Sequence, residues 1–193
     1  MKEKKRSIMQ FKLPVVFDND CISSFLWIKR LDIIEFIFPK SEIIIPEVVL
    51  DELKMLESSA RFNYVYNDLK HKIDSGEYIL QPISALSAEA IDYAELTRMD
   101  NPQAIGKGEA AAIVLAKSLG GTLASNNLAD ILPYVKGGQP PYIMTDTILY
   151  SYYKAGKITI TEGNAIWNDM KRRKRRLPPY NFDEVVKRMD CNS

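Results

Sequence analysis

Histidine and cysteine are nearly missing from this chain: its 193 residues include one histidine, His71, and two cysteines, Cys21 and Cys191. With one histidine, Ser/His/Asp and Cys/His nucleophile machinery is not the expected chemistry, and a histidine-rich zinc site is excluded. The two cysteines have no metal-ligand spacing and no secretory signal ahead of them, so a reducing cytoplasm is the expected compartment. No apolar run approaches the roughly 20 residues that cross a bilayer, so no membrane span is expected. Net charge is close to absent too, with 26 Lys and Arg against 25 Asp and Glu. That balance excludes a globally basic nucleic-acid coat and an acidic solvating tail, leaving local clusters to attract any charged partner. The length suffices for one buried core, or a core with a short appendage.

What is present alternates. KLPVVFDND reads as a strand stopped by acids, and CISSFLWIKRLDIIEFIF follows with helical spacing broken into two pieces. SEIIIPE is a second strand, after which Pro46 starts a long amphipathic stretch from Val48 to about Ile73. EYILQPI is a third strand behind the Ser75-Gly76 turn, and SAEAIDYAELTRM opens as a helix with Ser87 as its cap. GKGEAAAIVLAKSLG is the next helix. GGTLASNN and PPYIMTD supply two more strands, joined by the turn-rich LADILPYVKGGQ. Strand alternating with helix predicts an α/β protein, a three-layer α/β/α sandwich with a central, mainly parallel sheet. Right-handed crossovers bring every strand's carboxyl end to one edge, where open α/β sheets bind ligands.

Three acids break the apolar pattern near that edge. Glu109 shares the stripe of Ala112, Ile113 and Ala116 in the first turn of its helix; Asp18 ends the run VVF; Glu52 falls on the face of Val48, Val49 and Leu56. A charge on such a face is expensive unless paired, and three of them suggest a shared cation. Asp20 follows the first strand with Asp18, and Asn126, Asn127 and Asp146 follow other strands on the same rim. Hard oxygen ligands without His or Cys select magnesium or manganese. Two such ions about 4 Å apart would activate a water and stabilise the leaving oxygen in phosphodiester cleavage.

In order, VVFDND, PEVVLDEL, GKGEAAAIVLA and LASNN resemble the acid signature of the PIN-domain nucleases, the family that includes VapC-like toxins of bacterial toxin–antitoxin pairs. The resemblance spans roughly Leu13 to Ile160. It implies a PIN-like domain over 1–160, with 161–193 as a helical, basic carboxyl extension. It also implies magnesium- or manganese-dependent cleavage of single-stranded RNA, a partner antitoxin and pairing as a homodimer. Position by position, Asp18 matches the first acid, Glu52 the second and Glu109 the third, and Asp20 lies where the family carries Asn, Ser or Thr. The fourth acid is replaced by Asn127, which can ligate through its carbonyl but brings no charge. Asp146 is the candidate to compensate as a metal ligand, with Asp130 the less well-placed choice.

Plainer roles compete with these. Asp18 or Asp20 is a natural cap for the helix starting near Ile22, and Glu109 gains from the helix dipole wherever it points. Asn126 and Asn127 are ordinary turn residues, and TDT around Asp146 is ordinary turn and cap chemistry. Gly106-x-Gly108 lacks the strand and the Lys-Ser/Thr of a nucleotide-binding loop and reads as a helix start whose amides could meet a phosphate. The cationic run Lys171, Arg172, Arg173, Lys174, Arg175 and Arg176 is either a solvated helix end or a nucleic-acid contact. A smaller cluster near Lys4 and Arg6 reads as a loose amino terminus. Two alternatives to the nuclease stand beside it. One is a PIN-like nucleic-acid-binding or scaffold protein weakened in catalysis, motivated by Asn127. The other, an α/β phosphatase, lacks the Asp-x-Asp-x-Thr motif because Cys21 and Ile22 follow Asp20.

Overall fold

A computed structural model of the chain describes residues 11–191; the Lys4 and Arg6 cluster lies outside them. Five strands form one all-parallel sheet: β1 (Val15–Phe17), β2 (Ile43–Pro46), β3 (Ile79–Gln81), β4 (Thr122–Ala124) and β5 (Tyr142–Ile143). Their order is β3-β2-β1-β4-β5, with Val15 opposite both Ile43 and Thr122. The runs VVF and IIIP are buried at every position, as a parallel sheet covered on both faces requires.

Alternate strand residues belong to two different cores. Val15, Phe17, Ile43, Ile45 and Ala124 join α1 (Asn19–Leu26), α2 (Leu31–Ile37), α3 (Glu47–Lys54), α4 (Asn63–Asp74), α8 (Thr145–Lys154), α9 (Ile160–Arg172) and α10 (Phe182–Cys191). Val16, Ile44 and Leu123 face α5 (Ala88–Thr97), α6 (Lys107–Ser118) and α7 (Leu128–Ile131). The molecule is therefore the expected three-layer α/β/α sandwich. Among the described residues, no helix is long and apolar enough to cross a membrane.

Local signals read from the sequence recur here with some differences. Ser87 caps α5 by accepting the Ala90 amide at 3.3 Å. The stretch from Val48 to Ile73 is two helices rather than one, because Ser59 takes the Phe62 and Asn63 amides into a turn that competes with the helical ladder. A helix, α8, starts directly after β5 where only a strand and turn were expected, and α10 falls within the helical extension expected over 161–193. The spacing of Phe182, Val185 and Val186, all buried, was the available helical signal for α10.

The carboxyl segment is built into the main core. Trp167, Met170 and Phe182 are fully buried beside Phe17 and Ile148. At the α9–α10 contact, a Cβ on Gly163 would lie 2.3 Å from the Phe182 ring, so glycine is what lets the two helices meet.

Candidate active site at the carboxyl edge of the sheet

The strand order reverses direction between β1 and β4, and in open α/β sheets a crevice opens at such a point beyond the strand ends. Asp18 follows β1 directly, and Ser125, Asn126 and Asn127 follow β4. The Asp18 amide still bonds to Ala124 O at 2.9 Å, carrying the ladder one step into the site. Asp18 is also the N-cap of α1, its Oδ1 accepting the Cys21 amide at 2.7 Å. Its other oxygen, Oδ2, is buried without a hydrogen-bond partner. Burial pushes the carboxyl up to about 8, the Ser125 hydroxyl and Cys21 amide offset part of this, and the charges of Asp20 and Glu109 add to it.

Beside Asp18 is an open cavity of about 270 Å³, lined by Asn19, Asp20, Glu52, Glu109, Asp130 and Arg176 with Gly106 and Gly108. Glu109 comes from the first turn of α6, a helix buried from Ala110 to Ala116. Its small alanines allow close packing on the sheet and hold the carboxylate at the rim. Burial raises the Glu109 pKa, a hydrogen bond from Asn127 lowers it, and the Asp130 charge raises it further. Glu52 reaches across from α3: Oε1 accepts the Gly108 amide at 2.9 Å and Oε2 the Asn19 side chain at 2.8 Å. A Cβ on Gly108 would stand 2.8 Å from Glu52 Oε2, so glycine makes this approach possible. Glu52 thus satisfies an otherwise free amide of the α6 amino terminus, where negative charge is favoured.

Asn127 bridges two acids, donating to Glu109 Oε1 at 2.7 Å and Asp130 Oδ2 at 2.5 Å. Asp130 is therefore the acid at this corner. Asp146 stands apart in the first turn of α8, where its Oδ1 takes the Thr147 amide and hydroxyl, and burial raises its pKa. It does not line the cavity, because the helix starting at Thr145 turns its carboxylate back onto its own first turn. Asn126 is a clamp: its Oδ1 accepts the Thr145 amide and its Nδ2 reaches Asp20 O and Ser24 Oγ. Asn19 was missed in the sequence, although its place between two aspartates marked it.

Among the described residues, no three His, Cys, Asp or Glu side chains are grouped to hold a metal ion directly. The reason is visible in the bonds just given. Both Glu52 oxygens are occupied, Asn127 holds Glu109 toward Asp130, and Arg176 leans in at 3.4 Å from Asp20 and 3.9 Å from Glu109. Glu52 and Glu109 of the expected ligand set line the cavity in a ring of acids tied by amides and one guanidinium.

The cationic run divides its labour. Lys171 bonds to Pro179 O and Tyr180 O, tying the loop after α9, and Arg172 pairs with Asp169. Arg175 sits over the Trp27 ring, and Arg176 alone of the run reaches the acids. Fold and site together define an α/β protein with an acid-lined cavity at the switch point of its parallel sheet. No protein-family model matches the chain, and comparison with curated proteins and with solved structures found no match.

Proposed function

We propose that this chain is a PIN-like endoribonuclease that hydrolyses phosphodiester bonds of single-stranded RNA with magnesium or manganese. The observation that carries this reading is the buried Oδ2 of Asp18, which has no hydrogen-bond partner while the carboxyl feels the like charges of Asp20 and Glu109. A buried carboxyl left without a partner in that setting is costly, and a cation removes the cost. The all-oxygen donors fit a hard divalent ion and no softer one. Asp18, Asp20 and Glu109 are the residues that would hold it, with Glu52 and Asp130 lining the cavity alongside Asp20 and Glu109. Bound there, the ion would supply an activated water and charge stabilisation for the leaving oxygen. The chain's own part is to fix the acids: Asn19 and Gly108 orient Glu52, Asn127 orients Glu109 and Asp130, and Asn126 fixes the end of β4 against α1 and α8. A partner antitoxin, a homodimer and a cytoplasmic setting accompany this reading as expectations.

The decisive assay follows cleavage of single-stranded RNA with manganese and with chelator, in the wild type and in Asp18→Asn and Glu109→Gln. Cleavage is expected with manganese only, and each variant should lower it by about a hundredfold or more. Unchanged cleavage in both variants would remove these residues from the chemistry. A second reading, a PIN-like binding or scaffold protein weakened in catalysis, is favoured because Asn127 stands where the resemblance implies an acid and Arg176 already supplies a cation to Asp20 and Glu109. Absent manganese binding with intact RNA binding would select it.

A further inference from the structure

At the opposite end of α1 from Asp18 lies a second cavity, of about 300 Å³. Three rings form its wall. Trp27 and Phe62 have centroids 5.0 Å apart and tilted by 55°, and Tyr64 meets Trp27 edge-on at 6.5 Å. The Tyr64 hydroxyl donates to Trp27 O at 3.0 Å, which fixes the pair. Each ring carries its own cation: Lys29 lies 4.5 Å over Tyr64, Arg61 5.2 Å over Phe62 and Arg175 5.1 Å over Trp27. Arg173 lines the same cavity, and its one acid, Asp169, is paired with Arg172.

Flat half-buried rings interleaved with guanidinium groups match the two parts of a nucleotide. Bases stack on aromatic faces and on guanidinium planes, and phosphates take the charge. An apolar protein helix would meet a broken surface here, and an acidic peptide would use the cations but not the rings. The cavity is also connected to the acids. The segment from Arg173, at the cavity, through Arg175, on Trp27, to Arg176, at Asp20 and Glu109, runs beside α1. From Asp20 to Trp27 the helical rise is about 10 Å, the length of about three stacked nucleotides.

We infer that the Trp27–Phe62–Tyr64 cavity is a nucleotide subsite for single-stranded RNA, holding a base and its phosphate about three positions from the one at the acidic cavity. The subsite rests on the RNA reading proposed above, yet it is measurable without cleavage. Anisotropy of a fluorescein-labelled single-stranded RNA of about 12 nucleotides, in chelator with the full chain, reads binding alone. Phe62→Leu keeps apolar volume but removes the ring, and Arg61→Ala removes an exposed cation. Each should weaken binding about tenfold without altering the circular dichroism melt, whereas Phe62→Tyr should bind like the wild type. Wild-type affinity in Phe62→Leu would overturn the subsite, and so would an equal loss for a labelled decaglutamate peptide, which would assign the cavity to acidic protein. Ring-dependent binding in a chain without manganese-dependent cleavage keeps the subsite and removes the nuclease. Ring-independent binding with cleavage intact removes the subsite alone.

Discussion

Beside α2, Glu35 and Glu77 share Lys40 and Lys72; at the end of β1, the only cation within ion-pair distance of Asp20 or Glu109 among the described residues is Arg176, and none comes that close to Asp18. The first cluster is partly exposed and matched in charge. Hydrogen bonds from Lys40 and Lys72 pull Glu77 down to about 2, while Tyr78 donates to Glu35 at 3.0 Å and is itself pushed up by burial and the Glu35 charge. In the second cluster burial and like charge drive Asp18 up to about 8. The same residue types therefore hold opposite protonation tendencies. Acids that stabilise a fold come with their counter-charges supplied; acids gathered without them store a demand for a cation from outside. That contrast in counter-charge, more than any acid alone, sets the two groups of carboxylates apart.

Breaking the contrast at its strongest point should give the largest change. In chelator at pH 7.5, Asp18→Asn is expected to stabilise the fold by about 2 kcal/mol, because Asn keeps the cap on α1 and carries no buried charge. The pH dependence follows from the direction of the shift. Asp18 holds its proton in the folded chain up to about 8 but loses it near 3.8 when unfolded. Its contribution to stability is thus full below about pH 4 and is lost as the pH rises through 8. Denaturant titrations from pH 4 to 9 should show that decline in the wild type and a flatter profile in Asp18→Asn. Parallel profiles would mean that Asp18 is ionised at little cost.

A smaller change should follow from making the acidic cavity still less matched. Arg176→Gln removes its one cation, and because that guanidinium is largely exposed the pairing is weak. Calorimetric manganese affinity should rise by up to about fivefold; a fall would mean that Arg176 helps to build the site instead of competing for it. The smallest effect is expected in the matched cluster. Glu77→Gln should lower the melting temperature slightly at neutral pH, with the difference vanishing in about 1 M salt, where screening acts over roughly 3 Å. Glu77 titrates near 2 when folded and near 4.5 otherwise. Its contribution is therefore present above pH 4.5 and lost as the pH falls through 2, the reverse of Asp18. A wild-type acid limb identical to that of Glu77→Gln would remove the distinction between the clusters.

Much of this was legible from local pattern. Alternation of apolar runs with amphipathic stretches announced the three layers, and acids on otherwise buried faces marked Asp18, Glu52 and Glu109. Less legible was α8, whose apolar spacing is short and follows turn-rich residues. Nor could the pattern tell that Asp146 would bond to its own helix turn while Asp130 met Asn127. Both acids follow a strand and both stand near a helix start, so nothing in their spacing separates them.

By itself the sequence determined the fold class and the edge to which the acids gravitate, since each depends on a periodicity that any stretch of chain displays. Only the tertiary structure decided which acids share a cavity, that Asn19 and Gly108 hold Glu52, and that a cation 158 positions after Asp18 comes to rest beside its neighbours (176 − 18). Those outcomes turn on ångström-scale approach between segments far apart in the chain, which is fixed by packing and not by spacing along the backbone.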